Sequence, residues 1–442
     1  MAYQVIQDRD MLLKACEESG TRFPYSDDIS VLATPIKVGS KTVNNRIVYQ
    51  AMEGCDGTYD GAPDTLTKRR YLRFARGGAG IIWFEATAVL GEGRANPRQM
   101  YLTPKTQDDF KRIVADIKEE CMRANGFEPI VICQLTHSGR YSKPEGTPAP
   151  LIAYNNPIFE KDNPIDPSRI VSDEYLDRVC EALVQGAIDA EKCGFDGGDI
   201  KSCHRYLLSE ILSAYNREGR YGGSFENRTR LLTTAVKEAR LATNKNNFII
   251  TSRLNIYDGF EYPYGFGVNE GEGITPDLSE AKRLAKILVS NGLDLLDCTM
   301  GNPYFNPHVN RPYAKGTYEP PEHPLFGVQR MLDGISEVAQ EIKGTPVICS
   351  GISFLGGVSA NVCSGYINNG GFDFAGYGRE TLAYPDCASA ITSGANLDPK
   401  KLCICCGKCT EIMRCKGGTP GCVIRDTEVY MPLYKKFVLG KE

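Results

Sequence analysis

The chain has 442 residues, 42% of them hydrophobic and 24% charged, and a formal net charge of −4. That length allows one large barrel with an appendage or two to three average domains, while the mild acidity points away from nucleic acid and acidic membranes as partners. No run approaches the roughly 20 apolar residues of a membrane span, the charged opening MAYQVIQDRDMLLKACEESG has no signal-peptide core, and 17 cysteines then imply a reducing cytoplasm.

Residues 1–30 read as an N-terminal extension. From residue 31 onward, short apolar runs alternate with longer amphipathic segments. The strand-like runs are Asn45–Met52, Gly80–Thr87, Pro129–Leu135, Gly197–Ile200, Phe248–Leu254, Leu293–Cys298, Pro346–Ser350 and Phe372–Gly376. Ser172, with Asp173 and Glu174 behind it, reads as the N-cap of a helix that stops at Gly194, and segments 277–292 and 329–344 also end in Gly. Eight buried strands joined by helices argue for an α/β fold, a (β/α)8 TIM barrel over residues 31–398. The competing doubly wound sheet lacks its signature, because no Gly-x-Gly-x-x-Gly follows the first strand.

In such a barrel the residues just past each strand gather at one face and form the active site. Two Pro-rich excursions, 143–167 and 300–326, are expected to shape access to it. Ser350-Gly351 and Gly378-Arg379 follow the last two strands, where bare backbone N–H groups and a guanidinium suit a phosphate; two ordinary turns are the plainer alternative. Gln134 and Arg253 end apolar strands, so an amide and a cation would face the barrel mouth and could grip the polar edge of a flavin. Simple solvation at a strand end is the alternative there. Lys201, His204 and Tyr206 follow the run GGDI. Two donors three residues apart could polarise one carbonyl oxygen, and a nearby tyrosine could deliver a proton; packing at a helix start is the alternative.

Near the C-terminus the cysteines crowd together as Cys403-x2-Cys406-x2-Cys409-x12-Cys422, with Cys405 and Cys415 left over. Neighbours so close rarely reach disulfide geometry. The spacing is that of a [4Fe–4S] site; a structural zinc also begins with Cys-x2-Cys but wants a second such pair further on. Residues 399–442 therefore read as a short C-terminal iron–sulfur segment. Such a cluster tolerates oxygen poorly, so an anaerobic cell is the expected setting.

With Gln134-Leu-Thr-His-Ser-Gly-Arg140 and Tyr221-Gly-Gly-Ser-Phe-Glu-Asn-Arg228 added, these motifs resemble the old yellow enzyme family over roughly residues 31–430. The match is closest to its iron–sulfur branch of 2,4-dienoyl-CoA reductase, enoate reductases and trimethylamine dehydrogenase. The resemblance implies a flavin barrel holding FMN. By position it puts Ala51, Met52, Glu53 and Ala86 beside the flavin and Gln134 and Arg253 on its pyrimidine edge. It puts Ser350, Gly351, Gly378 and Arg379 on its phosphate. Lys201 and His204 become the substrate-oxygen donors, Tyr206 the proton donor, and Cys403, Cys406, Cys409 and Cys422 the cluster ligands.

The implied reaction is reduction of an activated C=C bond in a small molecule, an unsaturated carbonyl, carboxylate or thioester. Two departures stand out: Lys201 replaces the usual histidine, and Glu53 replaces a small or neutral residue. The dinucleotide-binding half of larger members is also absent, so electrons are expected from a separate donor protein or directly from NAD(P)H. An amine dehydrogenase running the other way, or an electron-transfer flavoprotein subunit, are the alternatives. A homo-oligomer is compatible with all of them.

Overall fold

Eight strands, buried along their whole length, make one parallel sheet: β1 (Ile47–Tyr49), β2 (Ile81–Ala88), β3 (Ile130–Thr136), β4 (Gly197–Ile200), β5 (Ile249–Asn255), β6 (Leu295–Thr299), β7 (Val347–Ile348) and β8 (Ala375–Tyr377). In the computed structural model, which describes residues 3–271, 273–316, 318–415 and 418–441, each strand pairs with the next and β8 returns to β1. Met1, Ala2 and Glu442, at the ends of the two terminal segments, lie outside the described residues. A single bridge, Ile348 to Phe374, joins β7 to β8. The sheet is thus the expected (β/α)8 barrel. Its strands read as unbroken apolar runs because both faces are covered.

Helices follow the strands as the sequence periodicity requires. Asp173–Lys192 begins where Ser172 accepts a hydrogen bond from the Tyr175 N–H, and Phe225–Ala242 begins where Ser224 does the same for Asn227. No described helix is long and apolar enough to cross a membrane. β1, β7 and β8 are shorter than the sequence runs suggest. Gln50 N–H still reaches Tyr377 O at 2.9 Å, but beyond it the chain turns out of the ladder toward the barrel mouth.

The C-terminal segment packs against the loop after β1. Its helices are Lys408–Arg414 and Thr427–Phe437. Asp426 pairs with Arg69 at 2.7 Å and with Arg73, and the Cys55 thiol donates to Met413 O at 3.0 Å. That loop is anchored from below by Arg70, which meets Asp56 at 2.7 Å and Glu85 at 2.5 Å, all three side chains no more than 2% exposed. Burial pushes the Glu85 carboxyl up to about 7 against the pull of Arg70. Removing the cation would leave two buried carboxyls unpaired. Arg70→Met is therefore expected to cost about 3–5 kcal/mol, measured by urea unfolding; a loss below about 1 kcal/mol, the range of exposed pairs, would show that the triad anchors nothing.

Candidate active site

The C-terminal ends of the strands open into a solvent-connected cavity enclosing about 950 Å³ of space. Several of the ends contribute. Gln50, Ala51, Met52 and Glu53 come from β1, His204 from the turn after β4, Arg253 from β5, Ser350 and Gly351 from β7, and Gly378 and Arg379 from β8. The sequence singled out all of these except Gln50. Small residues are required where the wall is tight. Gly351 has φ +80°, and a Cβ there would meet Met331 Sδ at 2.5 Å; a Cβ at Gly376 would meet Cys349 O at 2.1 Å.

One wall carries unsatisfied polar atoms. Arg253 Nε lies 3.2 Å from Asp297 Oδ2, too poorly aligned for a hydrogen bond, so both atoms and Gln50 Oε1 are buried without hydrogen-bond partners. Gln50 Nε2 donates to Asp297 Oδ1 at 2.9 Å, and burial pushes the Asp297 carboxyl up to about 7 despite Arg253. Orphaned polar atoms on Gln50 and Arg253, both cavity-lining residues, fit the polar edge of a heterocycle.

Two of the residues expected beside the flavin do not line this cavity. Gln134 Nε2 donates to Asp199 Oδ2 at 2.7 Å, sharing that oxygen with Trp83 Nε1 at 2.9 Å. The buried carboxylate draws the amide down into the barrel, off the cavity wall. Ala86 is fully buried in β2, its carbonyl accepting from Gln99 Nε2 at 3.0 Å.

Lys201 and Tyr206 stand just behind the wall, and Glu53 links them to it. The Tyr206 hydroxyl donates to Glu53 Oε2 at 2.5 Å, and Lys201 Nζ lies 3.4 Å from the same oxygen and 3.8 Å above the Tyr206 ring. Tyr304 completes the group, its hydroxyl 3.1 Å from that of Tyr206 and its ring stacked on Tyr141 at 4.0 Å. His204 takes a left-handed backbone, φ +63°, uncommon outside glycine and concentrated at functional sites. Burial and the nearby Arg253 and Lys201 charges hold its pKa well below the ordinary value, so it faces the cavity as a neutral imidazole.

Sequence reasoning missed Gln50, Asp297, Arg311 and Arg414, of which all but Asp297 line the cavity, while Tyr304 lies just past the sixth strand run, where site residues are expected. Gln50 and Asp297 had a signal, a polar residue within an apolar strand run. Arg311 and Arg414 lie outside any strand run, on the 300–326 loop and the C-terminal segment, and had none.

A second cavity, of about 380 Å³, is lined by Cys403, Cys405, Cys406, Cys409 and Cys422. Two backbone groups already point at sulfur: Cys405 N–H at Cys403 Sγ, 3.4 Å, and Arg425 N–H at Cys422 Sγ, 3.3 Å. Cys405, left over in the sequence, shares this cavity; Cys415 does not, its thiol bonding Ile412 O at 2.9 Å. Among the described residues no three His, Cys, Asp or Glu side chains are gathered in a geometry that would hold a metal ion. Arg379, Leu382 and Cys409 line both cavities, so the two share a wall.

Residues 31–398 match the family model described as NADH:flavin oxidoreductase / NADH oxidase. An NADPH dehydrogenase of Halalkalibacterium halodurans is 31% identical over 265 residues, covering 59% of this chain and 70% of that protein. Among solved structures, a 2-naphthoyl-CoA reductase superposes with a TM-score of 0.68 at 20% identity over 87% of this chain, which spans only 55% of that longer one. The old yellow enzyme homologue of Zymomonas mobilis superposes with a TM-score of 0.62 at 21% identity, over 84% of this chain and 94% of that one.

Proposed function

The chain belongs to the NADH:flavin oxidoreductase, or old yellow enzyme, family and is a flavin-dependent oxidoreductase, and on that premise we propose that it is an FMN-dependent reductase of activated C=C bonds. The observation that carries this reading is the meeting of two residue sets in one cavity. A phosphate cradle of Ser350, Gly351, Gly378 and Arg379 shares it with a neutral His204 donor and, through Glu53, with Tyr206. Ala51, Met52 and Glu53 would border the flavin, with Gln50 and Arg253 as polar partners of its edge, Arg253 backed by Asp297. FMN, when bound, supplies a hydride to the β-carbon of the substrate.

The protein's own part is to hold and protonate. His204 donates to the carbonyl, carboxylate or thioester oxygen, drawing electron density off the double bond. Lys201 supports that polarisation from behind while held by Glu53. Tyr206 gives its proton to the α-carbon. NADPH, used by the curated relatives as their names state, is one source of electrons.

The Cys403-x2-Cys406-x2-Cys409-x12-Cys422 spacing supports a [4Fe–4S] cluster on these four residues, with the thiols drawing together around it when it is bound. Five thiols share one cavity and two N–H groups point at sulfur, as outer-shell bonds to cluster ligands do. A cluster held there would supply single electrons. Residues 399–442 carry nine Lys and Arg against four Asp and Glu in a chain of net charge −4. That basic excess, with exposed Ile404 among it, suits an acidic electron-carrier protein. Seventeen free thiols suit a reducing, oxygen-poor cytoplasm.

An amine dehydrogenase would need open tyrosine faces for a cationic substrate. Here Lys201 already covers Tyr206, and the Arg414 guanidinium lies 4.9 Å over Tyr304, so that reading ranks second. Anaerobically purified protein is expected to carry FMN, and its dithionite-reduced form to be reoxidised by 2-cyclohexenone or cinnamate. Purified protein devoid of flavin would end the proposal, and reduction by trimethylamine with no alkene accepted would select the amine reading.

A further inference from the structure

Tyr206 is an awkward acid. It is 1% exposed, and after giving up its proton it would be a buried phenolate. Burial and the neighbouring Glu53 charge already hold its pKa well above the ordinary value. Each turnover must therefore return a proton to a site closed to water. The groups facing its hydroxyl are few. Tyr304 is itself pushed up by burial and by Glu53, and Lys201 addresses the ring face from a side chain only 1% exposed. Glu53 differs from both. Its Oε2 is 2.5 Å from the Tyr206 oxygen, while its side chain is 19% exposed and lines the cavity.

Resting on the ene-reductase reading, we propose that Glu53 is the proton conduit of this enzyme, taking a proton from water in the cavity and passing it to Tyr206. The balance closes on one hydride and one proton per double bond. The Tyr206 O–H bond breaks as the α-carbon C–H bond forms, beside the hydride already placed on the β-carbon. A cavity water then protonates the Glu53 carboxylate, and that Glu53 O–H bond breaks as the Tyr206 O–H re-forms, leaving Glu53 a carboxylate again and a hydroxide that the solvent buffer neutralises. Lys201 offsets the carboxylate charge left between cycles, which explains a lysine at this position better than a direct contact with substrate, since its ammonium is committed to Glu53.

The relay has a kinetic signature. A first turnover uses the proton already on Tyr206; later ones need the conduit. In the FMN-loaded Glu53→Gln variant, the single-turnover rate of reduced enzyme with 2-cyclohexenone is expected to fall far less than the steady-state rate. Steady-state turnover should fall at least tenfold, and added imidazole as a mobile proton donor should restore it. Glu53→Asp, which keeps the acid, serves as the second variant and is expected to lie between the two. Single-turnover and steady-state rates falling together would make Glu53 a positioning residue and overturn the conduit. So would no change in either.

A readout free of turnover separates the conduit from the reading beneath it. In protein labelled with 13Cζ-tyrosine, with the Tyr206 signal assigned by Tyr206→Phe, Glu53→Gln is expected to lower the pH at which Tyr206 ionises. Failure of the parent to reduce any alkene would sink the ene-reductase reading itself. An unmoved Tyr206 signal would instead show that the two groups are not coupled.

Discussion

Cys406→Ser is expected to strip the protein of iron, from about four atoms per chain to fewer than one, while leaving FMN in place. Cys406 is the informative choice because it lines only the cysteine cavity, whereas Cys409 lines the larger cavity as well. Iron analysis and the visible spectrum after anaerobic reconstitution read the first effect. The second is functional. Reduction of the flavin by an acidic one-electron donor such as a ferredoxin should fall at least a hundredfold, whereas reduction by NADPH should hold within a few-fold. In the parent, the ferredoxin-driven rate should drop steeply with added salt, because attraction between the basic C-terminal segment and an acidic carrier is screened within about 10 Å at 0.1 M. Zinc in place of iron, or a variant that keeps its iron, would remove the cluster. Cys405→Ser is the control: it shares the cavity but lies outside the spacing of the four ligands, so iron should remain.

Tyr206→Phe is expected to reduce alkene turnover by about 10²–10⁴-fold, the usual contribution of a positioned general acid, with flavin reduction by NADPH unchanged. The split matters more than the size. Tyr206 is fully buried, stacks with Tyr304 at 6.4 Å and lies under Lys201, so a generally damaged pocket would slow both half-reactions. Phe keeps the ring and loses only the hydroxyl. Pre-steady-state rates for each half-reaction test this directly. Equal slowing of both, or none in alkene reduction, would remove Tyr206 as the acid.

The barrel was legible in the chain because parallel strands covered on both faces become apolar runs with little else in them. Gly197–Ile200 matches its strand residue for residue. Boundaries failed where function begins. The run Asn45–Met52 reads as one strand, yet only Ile47–Tyr49 pairs, because the residues after it leave the ladder to line the cavity. Gln134 shows a different limit. Its position at a strand end is what a cavity contact requires, but a buried acid on the adjacent strand, Asp199, competes for its amide, and cross-strand competition is invisible in one dimension. Arg311 and Arg414 escaped for a third reason. They reach the cavity from the 300–326 loop and from the C-terminal segment, and only the folded chain brings those segments together. The Glu53–Lys201 contact was hidden likewise: both departures were visible singly, but 148 residues separate them.

The seam between β7 and β8 gives the barrel an asymmetry of construction. Every other neighbouring pair of strands is laced by a run of register partners, while these two meet at the single bridge from Ile348 to Phe374. The cradle formed by Ser350, Gly351, Gly378 and Arg379 stands directly beyond that joint. A phosphate seated there would tie the ends of both strands to one set of oxygens, acting as a clasp across the loosest stave of the cask. On this view such a ligand would also be a fastener for the barrel.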